Sequence, residues 1–126
     1  MRTAPPLRTL NIEVGLPTVD EALQRLSIQL SRARTDGVRL VRVIHGWGSA
    51  SGGGGKIRTA ARSWIRQQAQ TGSIRFYLFG DHYTPSSPEG RDFLRRHPAL
   101  RAEERQDRQN PGITFVEPAP IGQARM

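Results

Sequence analysis

An apolar run that leads directly into a glycine- and serine-rich loop is the strongest constraint on the fold of this chain. Residues 41–49 read Val-Arg-Val-Ile-His-Gly-Trp-Gly-Ser, four glycines follow at 52–55, and Lys56 opens a helical pattern. Glycine lets the backbone turn and expose its N–H groups, and a helix N-terminus carries partial positive charge. A strand, a loop and a helix in this order predict a binding site for an oxyanion such as phosphate.

The distribution of charge indicates the same kind of ligand. Residues 37–80 hold seven basic residues and no acidic one, whereas residues 81–126 hold seven of each. The formal net charge is +8, and all basic residues but Lys56 are arginines, which bind phosphate with two parallel hydrogen bonds. A GC-rich genome would also explain the excess of arginine, but not the missing acids. A basic segment around such a loop predicts a polyanionic partner, above all DNA or RNA.

Length and composition exclude several classes of protein. A chain of 126 residues predicts one small domain, and the absence of cysteine excludes disulfides and thiolate metal sites. The three histidines lack metal-ligand spacing, so no metal or other cofactor is predicted, except a divalent metal if the chain cleaves nucleic acid. No apolar stretch approaches the roughly 18 residues of a membrane span, and the N-terminus does not resemble a secretory signal. A cytoplasmic protein without membrane contact is expected.

Apolar spacing predicts two main helices. Thr18 and Glu21 form a capping-box pattern, after which apolar residues recur every three or four positions to about residue 35. A second helix is predicted over residues 56–70. Its basic stripe consists of Arg58, Arg62 and Arg66. Like charges at this spacing repel by about 0.2–0.5 kcal/mol per pair, which an anionic partner would relieve, although the stripe can also be a solvated face.

Four strands complete the predicted fold. They cover residues 10–14, 38–44, 74–79 and, as an edge strand, 113–117. Right-handed crossovers place both main helices on one face, which predicts a two-layer α/β sandwich with a mixed four-stranded sheet in βαβαββ order. The predicted single domain spans residues 10–117, between a flexible arm at 1–9 and a tail at 118–126. An insert at about 81–110 contains a short helix capped by Ser87.

The glycine loop carries a resemblance to a known family. Residues 41–49 resemble the His-Gly-x-Gly segment of the small MutS-related (Smr) domain, residues 12–23 align with its Leu-Asp-Leu-His-Gly strand and following helix, and residues 112–116 resemble its last strand. The resemblance implies a fold like the C-terminal domain of translation initiation factor 3, binding of DNA or RNA and, in some members, endonuclease cleavage. Glu13 occupies the family's acidic position, but Gly15 replaces its first-strand histidine.

The candidate site centres on His45. This histidine could contact phosphate, act as a general acid or base, or hold the loop through a backbone hydrogen bond. Glu13 is the other catalytic candidate, as an acid or metal ligand, and Trp47 could stack on a base or cover the edge of the core. His82 and Tyr83 follow another strand and could approach the site. The predicted nucleic-acid-binding residues are His45, Gly46, Trp47, Gly48, Ser49, Ser51, Gly54, Lys56, Arg58 and Arg62.

Three functions of different class stay open at this point. The first is an Smr-like module that binds the phosphate backbone of DNA or RNA through the loop and the basic helix. The second is a weak endonuclease for structured or single-stranded DNA or RNA, with His45 as acid/base, which the missing first-strand histidine argues against. The third is a binder of a small phosphorylated ligand, although Lys56 and Ile57 do not form the Lys-Ser/Thr pair of a Walker A loop. The extended basic stripe favours a polymer.

Overall fold

Four strands form one mixed sheet. The computed structural model describes residues 7–46, 55–98, 100 and 107–120. The strands are β1 (Leu7–Asn11), β2 (Leu40–Ile44), β3 (Ile74–Phe79) and β4 (Ile113–Pro118), in the spatial order β1-β2-β4-β3. β1 pairs parallel with β2, whereas β4 runs antiparallel to both β2 and β3. The strands β1, β2 and β3 therefore point the same way, and their carboxyl ends lie at one end of the sheet.

The first helix, α1 (Val19–Thr35), begins and ends where its sequence signals predict. The hydroxyl of Thr18 accepts from the Glu21 N–H at 3.1 Å, and the Glu21 carboxylate accepts from the Thr18 N–H at 2.9 Å, which completes the predicted capping box. At the other end, Gly37 adopts a left-handed φ of 75°, and the N–H of Val38 donates to the Ala33 carbonyl at 2.9 Å. Local signals thus fix both ends of this helix.

The second helix, α2 (Lys56–Thr71), packs beside α1 on one face of the sheet. The apolar residues of both helices meet the same side of the strands in one continuous core. That core contains Leu10, Ile12, Ala22, Leu26, Leu30, Ala33, Val38, Val41, Val43, Ala61, Ile65, Ile74 and Val116. The predicted mixed α/β sheet, with both main helices on one face, is confirmed.

The insert covers the opposite face of the sheet. Its helix, α3 (Pro88–Arg96), is capped by Ser87, whose hydroxyl accepts from the Gly90 N–H at 2.8 Å. Phe93 of α3 packs against Phe115 of β4, with ring centroids 4.7 Å apart, and forms an edge contact with Tyr83. The insert thereby adds a smaller third layer to the predicted two. The highly charged sequence of the insert did not predict that it packs on the sheet, because only a few of its aromatic and aliphatic side chains make the contact.

Two strand predictions need correction. The segment 113–117 was predicted as an edge strand, but β4 lies between β2 and β3 and all six of its residues are buried, because both faces of the sheet are covered. β1 begins at Leu7, so residues 7–9 belong to a strand rather than to the predicted arm, and it ends at Asn11 instead of 14. Similarly, Pro118 belongs to β4, and Ala119 is buried with its N–H donating to the Ser73 carbonyl.

Candidate functional site

His45 lies directly after β2, and both nitrogens of its ring form hydrogen bonds. Its side chain is buried, with 1% of the residue exposed. The Nδ1 atom is 3.1 Å from the Gly46 carbonyl oxygen, and Nε2 is 2.9 Å from the Thr114 hydroxyl. Because a carbonyl only accepts, Nδ1 carries the proton and Nε2 accepts from Thr114. The ring therefore links the start of the glycine loop to β4.

The surroundings of His45 keep it uncharged at neutral pH. Burial lowers the pKa of His45 to about 4; the hydrogen bond to the Gly46 carbonyl opposes this shift, and the nearby positive charges of Arg62 and Arg58 add to it. A neutral, buried ring with both nitrogens bonded fits the loop-holding role. Its predicted part in acid/base chemistry stays a prediction, and would require these two bonds to break.

The backbone at Gly46 makes room for Glu13. Gly46 adopts a left-handed φ of 76°, and a Cβ atom there would overlap the Oε1 atom of Glu13. The N–H groups of His45 and Gly46 both lie 3.0 Å from the Gly112 carbonyl, which turns the chain away from β2. The structure therefore places the Glu13 carboxylate against Gly46, the residue that follows His45.

A groove of about 370 Å³ lies beside Glu13, on the side of the sheet that faces the insert. Arg42 and Asp107 form an ion pair in its wall, and Arg42 also donates to the Thr9 hydroxyl. Among the described residues, the charged side chains that line the groove are Glu13, Arg42 and Asp107. These residues supply two carboxylates and one guanidinium, so they do not offer the positive charge that a phosphate needs.

The turn after β1 has a backbone conformation that favours glycine. Gly15, at the position of the family's histidine, has a φ of 82°, and Leu16 follows with a φ of 53°. Side chains other than glycine rarely adopt this conformation, so a histidine at residue 15 would be strained. The Arg25 guanidinium fixes the turn by donating to the Val14 carbonyl at 2.7 Å.

The start of α2 is the positively charged side of the site. The helix follows Gly55, which has a left-handed φ of 80° and supplies no side-chain cap for the first N–H groups. No acidic residue lies in the first turn, which instead carries Lys56 and Arg58. In the described part of the chain, no side chain caps these N–H groups, and together with the helix dipole and the two cations they favour an anion at this point.

Arg62, a predicted phosphate contact, is already engaged within the protein. Its Nη2 atom is 2.8 Å from the Asp81 carboxylate and 3.2 Å from the Pro111 carbonyl, and its guanidinium lies 4.4 Å from the centre of the Phe79 ring. Burial raises the pKa of Asp81, but the hydrogen bond from Arg62, a backbone hydrogen bond and the charge of Arg62 together outweigh this effect, and the pKa is lowered. The sequence offered one signal for this pair, since Asp81 follows β3 at the same end of the sheet.

Other predicted site residues divide into two groups. Trp47, Gly48, Ser49, Ser51 and Gly54 lie outside the residues that the structure describes. Tyr83 is 1% exposed and packs in the core beneath the insert, while His82 accepts a hydrogen bond from Ser87 through its carbonyl.

Within the described ranges, no group of three His, Cys, Asp or Glu side chains could hold a metal ion. No helix in those ranges is both long and apolar enough for a membrane crossing.

The fold and the loop define a small mixed α/β domain with a His-Gly segment at the carboxyl end of a parallel strand. The family model of the Smr domain matches residues 14–78, and the chain belongs to this family. Smr domains bind nucleic acids in general. The crystal structure of the Smr domain of Thermus thermophilus MutS2 is similar in fold, with a TM-score of 0.54 and 22% identity over 90% of this chain and 99% of that one. No curated protein sequence matches significantly.

Proposed function

We propose that this Smr domain binds the phosphate backbone of DNA or RNA at the start of α2. The observation that carries the proposal is the first turn of this helix, which follows Gly55 without a side-chain cap from that residue and contains Lys56 and Arg58 but no acidic residue. A phosphate there would accept from the free N–H groups and from both cations. The glycine-rich residues 47–54, which lead into the turn, are the predicted second wall of the site.

The distribution of charge around the loop supports one direction of approach. Glu13 and Asp107 line the groove on one side of Gly46, whereas Lys56 and Arg58 lie at the helix on the other. A polyanion is repelled from the first side and attracted to the second. The backbone of the nucleic acid therefore crosses the start of α2 and avoids the groove beside Glu13.

His45 acts in this proposal as a positioning residue. Its hydrogen bonds to Gly46 and Thr114 fix the point where the chain leaves β2, and its neutral ring adds no charge to the site. Binding is favoured over cleavage because a general acid or base needs a nitrogen that can reach the substrate, and both nitrogens of His45 are occupied. The endonuclease function stays an alternative prediction.

Fluorescence anisotropy with labelled single-stranded and duplex DNA and RNA tests the binding site. Lys56→Ala/Arg58→Ala should weaken binding on every sequence and make the dependence of log K on log salt shallower by about one unit per lost phosphate contact. Arg32→Ala/Arg95→Ala is the matched control, because it also removes two exposed positive charges, both away from the start of α2. Equal affinities for the two double variants would contradict the proposal.

The same panel, incubated with and without Mg²⁺ and analysed by denaturing gel, separates binding from cleavage. We expect no cleavage by the parent protein. Strand cleavage that the parent supports and His45→Gln does not would instead favour the endonuclease, since a positioned acid/base contributes about 10²–10⁴ in rate.

A further inference from the structure

A second basic site lies at the end of the sheet opposite to His45. There, β2 and β3 begin and β4 ends, and the surfaces around them form a half-open cavity of about 610 Å³. This volume is within the range of about 300–1,000 Å³ that is typical of pockets for small molecules. Its basic lining residues are Arg34, Arg39, Arg75 and Arg96, which come from four different elements or turns.

Two of these arginines are held in place by the fold. The Nε atom of Arg34 donates to the Ala119 carbonyl at 2.9 Å. Arg96 binds both carboxylate oxygens of Glu117, at 2.8 and 2.6 Å, and its guanidinium lies 4.6 Å from the centre of the Phe76 ring. Contacts of this kind fix the direction of a guanidinium before any ligand arrives, which lowers the entropy lost on binding.

The acidic residues that the structure describes in the pocket do not balance its positive charge. Glu117 is the acidic residue of the lining; its side chain is 8% exposed, and it also lies 2.7 Å from Nε2 of His97. Its single charge is matched by Arg96. Among the described residues, no carboxylate pairs with Arg34, Arg39 or Arg75, so three positive charges converge on one cavity.

We propose that this cavity is a binding site for a phosphate group, and most strongly for a diphosphate or triphosphate. Planar guanidinium groups bind phosphate oxygens in pairs, and several negative charges are needed to balance three arginines. Such a group is found on a free nucleotide and at the phosphorylated end of a nucleic-acid strand. The site is separate from the start of α2, and the proposal does not depend on binding there.

Isothermal titration with pyrophosphate tests the site directly. Arg39 and Arg75 are exposed, so Arg39→Ala/Arg75→Ala should leave the fold intact. We expect the parent to bind pyrophosphate and this variant to bind at least about tenfold more weakly, because each charged hydrogen bond to phosphate contributes roughly that factor. Arg32→Ala/Arg95→Ala should bind like the parent. Absence of binding by the parent, or equal affinity of the pocket variant and this control, would overturn the proposal.

Two further ligands identify the source of the phosphate. If the site serves strand ends, an oligonucleotide with a 5′-triphosphate will bind more tightly than the same strand with a 5′-hydroxyl, and Arg39→Ala/Arg75→Ala will abolish the difference. If it serves free nucleotides, ATP will bind with an affinity that the pocket variant loses, and the two strands will bind alike. Binding of neither ATP nor the triphosphate end through the pocket would overturn the proposal.

Discussion

The imidazole of His45 accepts a hydrogen bond of 2.9 Å from the hydroxyl of Thr114, and this bond joins the end of β2 to β4 within the buried sheet. Because the same ring donates to Gly46, one side chain connects the central strand to the start of the glycine loop. The stability of the strand end and the geometry of the loop are therefore coupled through a titratable group.

Acid should destabilise the protein through His45. The pKa of His45 is about 4 in the folded protein and about 6.5 when unfolded, so the unfolded chain binds more protons between these values. The contribution of the neutral His45 to the free energy of unfolding should be complete above about pH 6.5. It should fall by up to ~3 kcal/mol as the pH decreases to 4. Urea unfolding at pH 7, 5.5 and 4.5 measures the slope, which His45→Gln should reduce. The exposed control, His82→Gln, should keep it; equal slopes in both variants would contradict the assignment to His45.

Glu117→Gln should lower the free energy of unfolding at pH 7 by about 3 kcal/mol, because it leaves Arg96 and His97 without their carboxylate. Burial raises the pKa of Glu117, but the hydrogen bonds from Arg96 and His97 outweigh it and hold the pKa at about 2. The contribution is therefore complete above about pH 4.5 and is lost as pH falls through 2. At pH 3, the gap between parent and variant should shrink by about half. A gap that is the same at pH 7 and pH 3 would mean that packing, rather than charge, is lost.

Gly90→Ala should destabilise the protein although alanine is the better helix former. The substitution gains about 1 kcal/mol in helix propensity, but the new Cβ would overlap the Thr84 and His82 carbonyl oxygens, which belong to the backbone and cannot move away freely. We expect a net loss of about 2–3 kcal/mol in chemical unfolding. Glu89→Ala, at the exposed neighbouring position of α3, should change stability by less than about 0.5 kcal/mol. A stabilised Gly90→Ala would show that α3 can move away from the preceding turn.

Arg62→Ala should affect stability more than affinity for nucleic acid. The variant loses the ion pair with Asp81 and the stacking on Phe79, which together should cost about 1–3 kcal/mol. Arg66→Ala, which removes an exposed arginine from the same stripe, should cost less than about 1 kcal/mol. Thermal unfolding and anisotropy on both variants provide the comparison. An undiminished melting temperature with weakened binding for Arg62→Ala would restore Arg62 as a phosphate contact.

Sequence reasoning succeeded where short-range chemistry decides the outcome. The capping box of Thr18 and Glu21, the left-handed Gly37 and the bounds of Ile74–Phe79 all follow from neighbours within a few positions. The position of His45 at the carboxyl end of a parallel strand also followed from the predicted order of strands and helices.

The failures share a different cause, which is pairing over long separations. An alternating pattern predicted an edge strand at 113–117, because the sequence does not show that the insert covers the second face of the sheet. For the same reason the sequence did not reveal the ion pair of Arg62 with Asp81, 19 positions away, or the contacts of Glu117 with α3 and the residue just beyond it. The sequence alone does not distinguish an arginine that pairs with a carboxylate of the protein from an arginine that can bind a ligand.

The position of β4 also governs the order in which the domain can assemble during synthesis. β4 is the last strand of the described residues, yet it pairs with both β2 and β3 and so joins them. Until residues 113–118 leave the ribosome, β3 lacks the strand with which it pairs. The residues that the family model matches, 14–78, include neither β1 nor β4. Strand pairs that are this distant in sequence form late and slowly during folding. The nascent chain therefore has an unpaired edge on β2 and on β3 until β4 has been synthesised.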